Sequence, residues 1–213
     1  MKKRVSLVAA ILLGVLTLTT VLGSCASSTA PSLEEVKTPF TELIEASYEI
    51  NEIFFGEGLP THDRDDAESE IVYYGFFGYD SYEIVRADCP YQNASHIKDV
   101  AARVYSSAYL DDIFLMAFDG YADDNSDRIT TARYQHAGEY FLKYAEGDSD
   151  PFNILPGKRR YLYDTMEIGE LSSADAVNLK IDSYLEGEEQ KVIRVTLRFI
   201  KENGEWRLDT PTY

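Results

Sequence analysis

The polar and apolar positions in the first part of the chain after residue 31 follow the periodicity of a helix. Apolar or small residues recur at alternating steps of four and three: Val36, Phe40, Leu43, Ser47, Ile50 and Phe54. This spacing predicts one amphipathic helix of about 22 residues with a single buried stripe. Ser32 and Glu35 form a capping-box pattern at its start, and Gly56 with Gly58 predicts its end.

The middle of the chain predicts shorter elements. Residues 71–77 and 82–86 read as two extended segments around a Gly-Tyr-Asp-Ser turn, which is typical of a hairpin. Ser95 is the predicted cap of a second helix, and residues 109–118 predict a third helix that ends at Gly120. Residues 131–144 are predicted to be extended.

Two runs in the last third of the chain, residues 177–182 and 193–199, alternate between apolar and polar positions. This pattern predicts a meander of four antiparallel strands near residues 160–168, 177–185, 193–199 and 205–210, with Asn203-Gly204 as a hairpin turn. Period-2 alternation implies one buried and one solvated face. The expected fold class is therefore α+β, with N-terminal helices packed on a curved antiparallel sheet that ends in a C-terminal β-meander.

This order of elements resembles a known superfold. Helices followed by a long meander, which closes with Gly204-Glu205-Trp206-Arg207-Leu208, look like the nuclear-transport-factor-two-like, or SnoaL-like, cone of the cystatin-like superfold. The resemblance is carried by residues 160–211. It implies a pocket between the helices and a bent sheet, which hosts catalysis in some members of the family and binding alone in many others.

The first 25 residues have a different composition. Lys2, Lys3 and Arg4 precede an apolar run over residues 5–22, a pattern typical of a secretory signal peptide. Leu22-Gly23-Ser24-Cys25 resembles the lipobox of bacterial lipoproteins, which implies cleavage before Cys25 and attachment of a diacylglycerol to its sulfur. Because the apolar run is also close to the length of a membrane span, an uncleaved transmembrane helix is the alternative.

The lipobox divides the chain into a signal peptide over residues 1–24, a short polar tether over 25–31 and one α+β domain over 32–213. The implied location is the extracytoplasmic face of the cell membrane, where the lipid anchors the chain. Cleavage would lower the net charge from −17 to −20, because Lys2, Lys3 and Arg4 are removed. Such an acidic surface repels phosphate backbones, so nucleic acid is not expected as a partner.

Candidate catalytic residues are few. His136 in a predicted strand could serve as a base if it faced the pocket and paired with Asp164, which gives a small-molecule enzyme of SnoaL-like type as the alternative function. Cys89 is followed by His96, but neighbouring Asp88 opposes thiolate formation, so a small, buried or semi-buried thiol is expected rather than a nucleophile.

The sequence predicts no metal site and no cofactor. The acidic loop over residues 119–127 lacks the alternate acids, the central Gly and the closing Glu of a calcium loop, so a solvated loop is expected.

Tyrosine is unusually common, with 16 residues against a single Trp. Many fall in predicted strands, where tyrosine suits either ordinary packing or a wet binding pocket. We expect a ligand pocket near Tyr134, Tyr161, Tyr163 and Trp206, next to a cationic patch at Arg159 and Arg160. The expected function is that of a binding or adaptor module in the cell envelope, with a small ligand or an envelope protein as its partner.

Overall fold

The computed structural model describes residues 29–62, 72–73, 81–122, 129–145 and 152–213. These residues form three α-helices and one π-helix: α1 (Leu33–Phe55), α2 (Ala94–Val104), α3 (Ser107–Phe114) and the π-helix Leu115–Asp119. Their strands in the first part of the chain are β1 (Val72–Tyr73), β2 (Ser81–Ile84), β3 (Tyr121–Ala122), β4 (Ile129–Thr130), β5 (Tyr134–Ala137) and β6 (Tyr140–Tyr144). The strands in the last part are β7 (Arg159–Ile168), β8 (Ala176–Leu185), β9 (Ile193–Glu202) and β10 (Glu205–Leu208).

The predicted first helix is confirmed as α1. At its start, the Glu35 carboxylate accepts hydrogen bonds of 2.7 Å from both the backbone N–H and the hydroxyl of Ser32. These bonds lower the pKa of Glu35. The predicted apolar stripe is buried, with Val36, Phe40 and Ile50 almost fully excluded from solvent. The helix ends at Gly56, whose N–H bonds to the carbonyl of Glu52.

The predicted meander is confirmed as an antiparallel sheet in the order β10-β9-β8-β7. Asn203 and Gly204 both have positive φ, 54° and 85°, as a two-residue hairpin turn of this type requires. Val177, Leu179 and Ile181 of β8 are buried, whereas Lys180 between them is exposed. The α+β fold class is therefore correct, with the helices ahead of this sheet in the chain.

Helix α1 lies across the buried face of this sheet and contacts β7 and β10. The ring of Phe40 stacks on that of Phe199 in β9, with centroids 3.8 Å apart, and Trp206 packs edge-on against Phe40 at 5.2 Å. The helix therefore covers Phe199 and Trp206, and Trp206 does not line the pocket expected near it. At these residues the sheet face is packed core.

A second sheet has the order β1-β2-β6-β5 and pairs strands from the region near residues 71–86 with strands from the segment predicted to be extended near 131–144. Most of the turn predicted between β1 and β2 lies outside the described residues. The hydroxyl of Tyr134 in β5 donates to the carbonyl of Ile53 at 2.7 Å, which fixes this sheet against the end of α1. The prediction of one extended segment over residues 131–144 missed the turn at Gly138, which divides the segment into the paired strands β5 and β6. The sequence also gave no reason to pair β6 with β2, because these strands lie far apart in the chain.

Asn93 is the cap of α2. Its side chain accepts a 2.8 Å bond from the N–H of His96, so the prediction of Ser95 as the cap was wrong by two residues. Ser95 lies inside the first turn of the helix. Asn and Ser satisfy the same free N–H groups, so sequence alone does not choose between them.

No helix among the described residues is long and apolar enough to cross a membrane. The predicted signal peptide and Cys25 lie outside the described residues.

Candidate functional site

A cleft lies between α1 and the segment that leads into β7. Its volume is about 630 Å³. One wall is the exposed side of α1, and the other is formed by residues 153–159. Thr212 and Tyr213, in the segment that follows β10, also line it. The volume falls within the range of roughly 300–1,000 Å³ that small-molecule sites occupy.

The helical wall carries three carboxylates, Glu45, Glu49 and Glu52, at positions i, i+4 and i+7. That spacing places them on one side of α1, on successive turns. The buried stripe of α1 faces the sheet and fixes how the helix is rotated, so these polar positions on its flank face the cleft.

Each of the three carboxylates has a neutral hydrogen-bond donor. Glu45 accepts from the hydroxyl of Tyr163, and Glu49 accepts from the hydroxyl of Tyr91 at 2.7 Å. Glu52 accepts from the N–H of Glu57 at 2.9 Å. Burial and the nearby Glu49 carboxylate raise the pKa of Tyr91 to about 12, and burial with the Glu45 carboxylate raises the pKa of Tyr163 well above its usual value. Both tyrosines therefore remain hydrogen-bond donors at neutral pH.

The opposite wall carries Lys158 and Arg159. The ammonium of Lys158 lies 5.4 Å from the centroid of the Tyr48 ring, a cation–π distance, and Nη1 of Arg159 donates to the hydroxyl of Ser183 at 3.1 Å. Within the described residues, neither side chain forms an ion pair with a carboxylate. The neighbouring Arg160 is different, because it pairs with Glu186 at 3.2 Å.

A buried polar network lies beneath the cleft. The hydroxyl oxygen of Thr212 accepts from the Asn51 amide at 2.7 Å and lies 2.6 Å from Oγ of Ser47 and 2.9 Å from the hydroxyl of Tyr105. The hydroxyl of Tyr161 donates to the carbonyl of Thr212 at 3.0 Å. The network holds the floor of the cleft against α1 and β7.

The four aromatic residues predicted to line a pocket are not brought together. Tyr163 bonds to the cleft residue Glu45, and Tyr161 lies beneath the cleft with its hydroxyl on Thr212. Tyr134 is fully buried between β5 and the end of α1, and Trp206 packs on Phe40. Neither Tyr134 nor Trp206 lines the cleft.

The His136–Asp164 pair is not assembled either. His136 is exposed on β5, where its ring packs against that of Phe141 at 4.8 Å between centroids. Asp164 belongs to β7 in the other sheet, is fully exposed and lies 3.6 Å from the ammonium of Lys37. Cys89 is a buried free thiol, as expected. Among the described residues, no group of His, Cys, Asp and Glu side chains is arranged to hold a metal.

Sequence reasoning found Arg159 as part of a cationic patch but missed the three glutamates. Their spacing on α1 is visible in the sequence, yet it is also the pattern of any solvated helix face. Only the position of residues 153–159 across from them distinguishes the cleft from ordinary surface.

Comparison of the chain with known protein families and with curated proteins finds no match.

Proposed function

We propose that this chain is a lipid-anchored lipoprotein of the extracytoplasmic membrane face, whose acidic α+β domain binds a small polar ligand in the cleft beside α1. The lipobox-like Leu22-Gly23-Ser24-Cys25 supports the anchor. The cleft supports the binding role.

One observation carries the binding proposal: a cleft of about 630 Å³ has charged side chains of opposite sign on its two walls. A flexible charged side chain on the surface contributes little to an ion pair, because ordering it costs conformational entropy. Here the carboxylates are held by Tyr91, Tyr163 and a backbone N–H, which limits their freedom before any ligand arrives. Such preorganisation lowers the entropic cost of binding.

The geometry supports binding more than catalysis. A general base needs a partner within hydrogen-bond reach of the proton it removes. The histidine considered for that role lies exposed on a different sheet from Asp164, and neither His136 nor Asp164 lines the cleft.

The test is a thermal-shift screen of the full chain in detergent against amino acids, short peptides, sugars and soluble cell-wall fragments. A ligand at about 100 times its dissociation constant stabilises the folded state by about 2.7 kcal/mol. For a domain of this size that raises Tm by about 5–10 °C.

A cleft-blocking variant gives the screen its control. Asn153 is exposed and lines the cleft, so Asn153→Trp should place an indole in its mouth and abolish the shift. Gln190→Trp adds the same ring at an exposed position outside the cleft and should keep it. A shift that survives Asn153→Trp would place the site elsewhere, and no shift with any compound would favour an adaptor that binds an envelope protein.

A further inference from the structure

The two walls of the cleft hold opposite charges that do not neutralise one another. Within the part of the chain that the structure describes, Glu45, Glu49 and Glu52 form no ion pair, and neither do Lys158 and Arg159. Elsewhere in the domain, charges beside one another do pair, as Arg194 does with Asp182 at 3.0 Å and Arg198 with Asp209 at 3.2 Å. The cleft therefore separates opposite charges that a bound molecule could connect.

The charge arrangement discriminates between ligand classes. A ligand with anionic groups alone would meet the three carboxylates of α1, and a diamine would meet Lys158 and Arg159. Like charges brought together across an interface cost several kcal/mol. A molecule with an ammonium group at one end and a carboxylate at the other avoids both penalties.

The remaining lining of the cleft suits a short peptide. Tyr48, Leu155 and Tyr213 offer apolar surface, and the side-chain amide of exposed Asn153 can serve as both donor and acceptor for a peptide group. The guanidinium of Arg159 matches the geometry of a carboxylate better than any other side chain does.

We propose that the ligand is a zwitterionic short peptide, with its ammonium against Glu45 and Glu49 and its carboxylate against Lys158 and Arg159. This inference rests on the proposed function, because it names the class of ligand that the same cleft takes.

The test is calorimetric titration of the full chain in detergent with three probes: trialanine, N-acetyl-trialanine and trialanine amide. Acetylation removes the ammonium, and amidation removes the carboxylate, with little change in size. We expect trialanine to bind and each blocked peptide to bind at least about tenfold more weakly, because each loses one charge-assisted contact.

Two variants assign the ends of the peptide. Glu49→Gln should weaken the binding of trialanine but leave the already weak binding of N-acetyl-trialanine unchanged, because that peptide has no ammonium. Lys158→Gln should also weaken the binding of trialanine but leave the binding of trialanine amide unchanged, because that peptide has no carboxylate. Matched controls are Glu42→Gln, exposed on α1 outside the cleft, and Arg160→Gln, which pairs with Glu186 outside it. Both controls should keep wild-type affinity for trialanine.

The outcomes separate this inference from the proposed function. Equal binding of all three peptides, or no binding of trialanine, overturns the proposal that the ligand is a zwitterionic peptide. If another compound from the thermal-shift screen still binds and is blocked by Asn153→Trp, the cleft remains a binding site with a different ligand. If Asn153→Trp blocks nothing, the proposed function itself fails.

Discussion

The Asn51 amide donates a 2.7 Å hydrogen bond to the hydroxyl oxygen of Thr212, although 161 residues separate them in the sequence. Both side chains are buried, with 3% and 1% of their surface exposed. The bond joins α1 to the segment that follows β10, and it lies under the cleft. Because buried polar groups are costly when unpaired, this contact fixes where the final segment can lie.

We expect Thr212→Val to destabilise the folded state by about 1–3 kcal/mol, since it keeps the side-chain shape but leaves the Asn51 amide without its acceptor. Urea unfolding would measure the change. Thr38→Val, at an exposed position on α1, should change stability by less than about 0.5 kcal/mol. Equal effects of the two variants would show that the network contributes nothing to stability.

Alkaline pH should destabilise the protein through Tyr105. Burial raises the pKa of this phenol to about 12 from an ordinary value of 10. Below pH 10 the phenol is neutral in both the folded and the unfolded state, so its ionisation does not reduce the free energy of unfolding. Between about pH 10 and pH 12 only the unfolded state loses its proton, and stability should fall. Urea midpoints across this range should decline less steeply in Tyr105→Phe; an identical slope would contradict the assignment.

Gly58→Ala should cost more stability than Gly138→Ala. Both glycines have positive φ, 79° and 62°, so both substitutions carry the strain of the left-handed region, about 1–2 kcal/mol. A Cβ on Gly58 would also lie 2.7 Å from Nη2 of Arg133 and 2.8 Å from the hydroxyl of Tyr134, whereas one on Gly138 meets nothing. Arg133 and Tyr134 are buried and cannot move aside freely. Thermal unfolding of the two variants would compare them, and equal losses would mean that the contacts at Gly58 relax at no cost.

The membrane anchor is tested at Cys25. Mass spectrometry of the native protein should find Cys25 as a lipid-modified first residue, and Cys25→Ala should release the chain from membranes on fractionation. Cys89→Ala changes the other cysteine, which is buried in the core, and should leave the chain in the membrane fraction. An unmodified chain that still begins at Met1 would contradict the lipoprotein proposal.

The sequence by itself determined the elements whose signals are local. The stripe from Val36 to Phe54 defined α1, and alternation with Asn203-Gly204 defined the meander, because helix and strand periodicities and turn residues act within a few positions. The tertiary structure decided the rest: the pairing of β2 with β6, the Phe40 ring that fills the sheet face, and the cleft between Glu45 and Arg159. These features depend on contacts between segments that are distant in the chain. Bringing such segments together costs chain entropy, which is offset only when several elements pack together. A local sequence pattern does not specify which distant segments will be in contact.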